Sequence, residues 1–144
     1  DLRFIAAALK MVTDLERIGD LAVNMAERVP ALCEQPMLRA LEELPGMAAA
    51  AQKMLREVLE AFVEGDTAKA EAVRSADPTI DAWMLRLITE VQSVMSRDPS
   101  TVARGIATIF FLKHLERMAD HTTNVAEMVI YHVRGQDVRH GSSG

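Results

Sequence analysis

Residues 14–28 read DLERIGDLAVNMAER, and residues 114–128 read HLERMADHTTNVAEM. Leu15/Leu115, Glu16/Glu116, Arg17/Arg117, Asp20/Asp120, Asn24/Asn124, Ala26/Ala126 and Glu27/Glu127 coincide. A helix that only packs repeats its leucines. This pair also repeats its carboxylates, an arginine and an asparagine, which points to a repeated site. At ~100° per residue, positions 16, 20, 23, 24 and 27 share one narrow face, as do 116, 120, 123, 124 and 127. The other flank is apolar. It carries Phe111, Leu115, Ala119, Thr122, Ala126, Val129 and Val133 in the second copy, and Phe4, Met11, Leu15, Gly19, Ala22, Ala26 and Val29 in the first. Each copy therefore predicts a helix with one packing face and one carboxylate–amide face.

Outward from the repeats, punctuation divides the chain into four helices. The first spans about Leu2 to Val29, with Pro30 and Pro36 marking its kink or end. The second starts near Pro45, since proline suits a first turn, and stops before Gly65-Asp66. The third begins after Asp66, a residue suited to an N-cap, and continues to about Met95. Its apolar series Val73, Ile80, Met84, Leu87, Val91 and Val94 has helical spacing. Pro78 lies inside it and predicts a kink or break at Asp77-Pro78. The fourth helix spans about Thr101 to Arg134 and stops at Gly135. No strand-like alternation persists anywhere, so the fold class is all-α.

Composition agrees and narrows the function. The 144 residues are 49% hydrophobic and 26% charged, enough apolar content for one globular core. Only 4% are aromatic, which favours helix over sheet. A net charge of -5 with no basic block argues against nucleic acid, which needs clustered Lys and Arg. The single Cys33 excludes a disulfide framework and fits a reducing compartment. The chain has no signal-peptide pattern. The longest apolar stretch, Ile106 to Leu112, is too short to span a bilayer.

Carboxylates stacked at i, i+4 repel by a few tenths of a kcal/mol on an exposed helix. A divalent or trivalent cation reverses that sign, because carboxylate and amide oxygens are hard ligands. Glu16 with Asp20, and Glu116 with Asp120, have the spacing for two oxygens to reach one ion from successive turns. Asn24, Glu27, Asn124 and Glu127 extend the stripes further than one ion needs. Iron, zinc, magnesium and manganese are the candidate metals. Arg17 and Arg117 either pair with the neighbouring carboxylates or bind an anion. The competing reading is that each stripe is an ordinary solvated helix face, and the identity of the two copies weighs against it.

Other groups carry less. His114 and His121 lie well round the helix from Glu116 and Asp120 and do not form a Glu-x-x-His pattern, so they read as interface or surface histidines. Trp83 and Met84 read as core. There is no phosphate-binding glycine loop, nucleophile elbow or HExxH, and nothing argues for an enzyme.

LERIGDLAVNMAE and LERMADHTTNVAE resemble the paired motifs of the PhoU family, regulators of bacterial phosphate uptake. DLRFIAAALKMVTDLERIGD resembles the third helix of that family's first repeat. Leu44 to Arg134 resembles a complete second repeat, and IYHVRGQDVRH the C-terminal ending. The resemblance implies spectrin-repeat-like antiparallel three-helix bundles. On this chain, residues 1–34 would be the last helix of an incomplete first repeat, 44–135 a complete second repeat and 136–144 a polar tail. It further implies metals on Glu16/Asp20 and Glu116/Asp120, no enzymatic activity and a cytoplasmic location. The implied partners are a phosphate ABC transporter and a sensor histidine kinase, with membrane association through partners only. Because the first helix lacks two family partners, it is expected either to pack as a fourth helix on the second bundle or to be covered in a homodimer, the preferred arrangement. Two rival readings are a PhoU-like cytoplasmic module of a sodium-phosphate cotransporter and a metal-binding helical-bundle protein of another kind.

Overall fold

The computed structural model describes residues 2–135. Its helices are α1 (Leu2–Cys33), α2 (Leu44–Glu64), α3 (Thr67–Arg97) and α4 (Val102–Arg134), with short 3-10 turns at Arg39–Glu43 and Pro99–Thr101. There is no strand among the described residues. The expected polar tail lies outside them.

Local chemistry accounts for the ends. Gly65, at φ 66°, closes α2 in the left-handed region that a side chain would resist. Asp66 then caps α3, its carboxylate accepting from the Lys69 N–H at 2.9 Å. Asp98 accepts from the Ser100 N–H at 3.0 Å in the turn before α4. Gly135 ends α4, as expected. Glu43 fastens the linker to α3 by accepting from Arg86 and, at 2.9 Å, from Trp83 Nε1. Those bonds, that from Arg86 foremost, lower its carboxyl pKa to about 2.

Neither proline that lies inside a helix ends or breaks it. α1 runs through Pro30 to Cys33, and α3 is unbroken at Asp77-Pro78. A proline removes only its own N–H bond and strains one turn. Packing on both sides holds α3 through that loss, because Val73 and Ile80 are buried in the core.

The core lies between α2, α3 and α4. Met47, Val58, Val73, Leu87, Val91, Leu112 and Ile130 are all fully buried there. α1 packs in the same chain, chiefly along α4. The pairs Phe4–His132, Asp14–His121 and Arg28–Phe110 show that it runs antiparallel to α4.

The buried face of α1 differs from the expected one. Ala7, Met11, Ile18 and Leu21 are buried, with Asp14 and Met25 half-buried. This is a heptad seam suited to a single antiparallel partner. Of the expected packing residues only Met11 is buried and Leu15 half-buried, while Phe4, Gly19, Ala22, Ala26 and Val29 are exposed. The reason is visible at equivalent positions. Leu112 is 0% exposed and Val129 1%, yet Val12 is 60% exposed and Val29 44%. The face that α4 turns to α2 and α3 is thus the face that α1 leaves open. No helix among the described residues is long and apolar enough to cross a membrane.

Candidate functional site

α4 carries three sets of side chains on three sides. One side enters the core. A second, with His114, His121 and His132, faces α1. The third, with Glu116, Asp120, Thr123 and Glu127, faces α3. The third side meets two carboxylates that the repeat does not contain. Asp77 and Asp81 lie one turn apart on α3, on either side of the buried Ile80. One carboxylate oxygen from each of Asp77, Asp81 and Asp120 falls within 4.8 Å of the others. Glu116 is in hydrogen-bonding reach of both Asp81 and Asp120.

This crowding raises the proton affinity of the three aspartates. Burial, then the Asp120 charge, pushes the Asp77 carboxyl up. Burial, then the charges of Asp77 and Asp120, pushes up that of Asp81. Asp120 rises to about 6, through burial first and then its hydrogen bond and repulsion with Glu116. Oδ1 of Asp77 and Oδ1 of Asp81 are buried without a hydrogen-bond partner. Such oxygens are costly unless protons or a cation compensate them. An all-oxygen donor set of half-buried carboxylates fits a hard cation.

The repeated stripes do not stay together. Glu116 and Asp120 join the cluster. Asn124 turns toward α1, its Nδ2 donating to Asp14 Oδ1 at 3.4 Å. Glu127 lies 4.0 Å from Arg74 of α3. Glu16, Asp20, Asn24 and Glu27 are all exposed. Among the described residues, they belong to no cluster of three or more ligating side chains. The histidines lie at the α1–α4 interface: His121 Nδ1 is 2.9 Å from Asp14 Oδ1, and His114 Nδ1 donates to the Phe110 carbonyl at 2.9 Å. Asp77 and Asp81 lie on α3, outside the repeated motifs, so the repeat does not point to them. Their i, i+4 spacing is the same as that of Glu116 and Asp120 and was the available signal.

The PhoU domain pattern matches residues 1–29 and 44–129, taking in both repeated motifs. A Pseudomonas aeruginosa protein described as a phosphate-specific transport system accessory protein PhoU homolog is 42% identical over 141 residues, covering 97% of this chain and 58% of that protein. A Clostridium acetobutylicum protein of the same description is 37% identical, covering 96% of this chain and 63% of the relative. The chain therefore spans less than two thirds of the length of these curated relatives. The crystal structure of PhoU from P. aeruginosa superposes with a TM-score of 0.90 at 40% identity, covering 94% of this chain and 66% of that one. That of the phosphate transport system regulatory protein PhoU from Streptococcus pneumoniae gives 0.88 at 30% identity, covering 96% and 65%. With both motifs inside the matched segments and 94% of the chain superposing on a PhoU crystal structure at 40% identity, the chain belongs to the PhoU family.

Proposed function

We propose that this chain is part of an accessory regulator of a phosphate-specific transport system, and that it acts by protein contact. The observation that carries this reading is the likeness, over 97% of the chain, to a relative described as an accessory protein of such a system. Its partners are the phosphate ABC transporter and a sensor histidine kinase, met at the cytoplasmic face of the membrane. Deleting the gene is expected to switch on phosphate-starvation genes in phosphate-rich medium, and restoring the wild-type gene to silence them. If deletion leaves those genes off, the regulatory reading fails.

Asp77, Asp81, Glu116 and Asp120 hold a divalent or trivalent cation, with magnesium, manganese, iron and zinc as candidates. The support is the convergence of Asp77, Asp81 and Asp120, with Glu116 in hydrogen-bonding reach of two of them, and the buried, unpartnered Oδ1 atoms of Asp77 and Asp81. When bound, the cation supplies positive charge that turns a self-repelling acidic face into one able to accept a partner's carboxylates. Glu116→Ala with Asp120→Ala abolishes metal uptake, measured by elemental analysis, while helicity is retained. Unchanged metal content in that variant refutes the ligand assignment. Glu16, Asp20, Asn24 and Glu27 are the equivalent set of the first copy. They lack carboxylates from a second helix among the described residues, so their metal binding depends on a further surface.

The outer face of α1 repeats the core face of α4 and pairs with a second copy of the chain to form a homodimer. Its support is the exposure of Val12 and Val29 where Leu112 and Val129 are buried.

A further inference from the structure

The groove between α1 and α4 contains a second constellation that the carboxylate cluster does not use. A cavity of about 280 Å³ is walled by Arg17, Asp20 and Asn24 of α1 and by His114, Arg117 and His121 of α4. Arg17 and Arg117 hold the same place in the two motifs, and antiparallel packing brings both to this one cavity. Other arginines of the chain are committed: Arg74, Arg86 and Arg134 to carboxylates, and Arg28 to the Phe110 ring. The Arg17 and Arg117 guanidinium groups have no hydrogen bond or ion pair among the described residues.

The imidazoles complete the chemistry. A carbonyl oxygen only accepts, so His114 Nδ1 carries the hydrogen that it donates to Phe110. In the neutral ring Nε2 is then an acceptor. The Asp14 carboxylate engages His121 through Nδ1 in the same way, leaving Nε2 for a ligand. The groove thus combines two guanidinium forks and an amide with acceptors at the imidazoles and Asp20.

We propose that this groove binds a tetrahedral oxyanion that retains a proton, namely hydrogenphosphate. The guanidinium forks of Arg17 and Arg117 take its unprotonated oxygens, and the Asn24 amide adds a donor. A histidine Nε2 or the Asp20 carboxylate accepts from the P–OH. Sulfate has no proton near neutral pH, so its lone pairs would face those acceptors and its binding is disfavoured. Asp20 and Asn24 also belong to the first-copy metal set, but the charged donors Arg17 and Arg117 lie outside the Asp77, Asp81 and Asp120 cluster, so a chain stripped of metal separates the two ligands.

Calorimetric titration of the full chain, stripped of metal by a chelator, tests it with inorganic phosphate and with sulfate at equal ionic strength. One phosphate is expected per chain, with sulfate at least about tenfold weaker. Arg17→Gln with Arg117→Gln is expected to weaken phosphate binding at least about tenfold, with an unchanged thermal melt because both side chains are exposed. Arg17→Lys with Arg117→Lys keeps charge and fold but loses the forks, and weakens binding as well. Absence of phosphate binding at millimolar concentration overturns the proposal, as does undiminished affinity in the glutamine variant. Equal affinity for sulfate overturns the choice of ligand. Binding seen only after metal is restored assigns phosphate to the carboxylate cluster instead.

Discussion

Asp120 sits where three physical demands meet. It is half-buried, it faces Asp77 and Asp81 across the α3–α4 contact, and it meets the Glu116 carboxylate on its own helix. In the metal-free chain the folded state keeps protons on Asp120, Asp77 and Asp81 after the unfolded chain has shed them. Between the ordinary carboxyl value of 3.8 and the raised value of about 6, the folded state therefore binds more protons, and stability falls as pH rises through that window. The melting temperature of the chelated protein is expected to be lower at pH 7 than at pH 5. Added manganese reverses the loss at pH 7 and has little effect at pH 5, where protons compete. Asp120→Asn flattens the profile in this window. Glu43, held low by Arg86 and Trp83, contributes with the opposite slope and only at more acid pH. An Asp120→Asn profile that matches wild type would show that the cluster is not strained by its own charge.

At the scale of elements, the turn between α2 and α3 depends on few atoms. Asp66→Ala removes the acceptor for the Lys69 N–H and is expected to cost about 1 kcal/mol in urea unfolding. Leu112→Ala, on the fully buried face of α4, should cost roughly 2–5 kcal/mol because a cavity opens between three helices. A loss of under about 0.5 kcal/mol in Leu112→Ala would place α4 outside the core. Helix limits were largely legible beforehand: Gly65-Asp66 and Gly135 end or cap helices through backbone geometry and local hydrogen bonds, which act within a few residues. Pro30 and Pro78 do not interrupt their helices, because distant packing supplies what a proline removes from its own turn.

At the scale of the whole molecule, α1 is a helix with two usable faces and one main partner, α4, touching α2 near its start through Phe4 and Phe62. α4 takes the seam of Ala7, Met11, Ile18 and Leu21, and the opposite apolar face remains open. Light scattering of the chain should give a dimer at micromolar concentration. Val12→Glu with Val29→Glu should give a monomer with unchanged helicity, since a charge is costly only where a second surface covers it. A monomeric wild-type chain would rule out pairing through this face.

The sequence alone determined the all-α class, the four helices, the family and the polar residues worth repeating, because helical period, capping residues and motif identity are local properties. It also singled out Glu116 and Asp120. Only the tertiary structure decided which side chains those two meet. Asp77 and Asp81 lie about ten turns of chain away and reach them solely because α3 packs against that side of α4. Packing against the adjacent side of α4, by α1, turned Asn124 toward Asp14 and separated it from the carboxylates. It also chose which face α1 buries. Amphipathic spacing allows either stripe, and the choice falls to whichever helix is there to cover it.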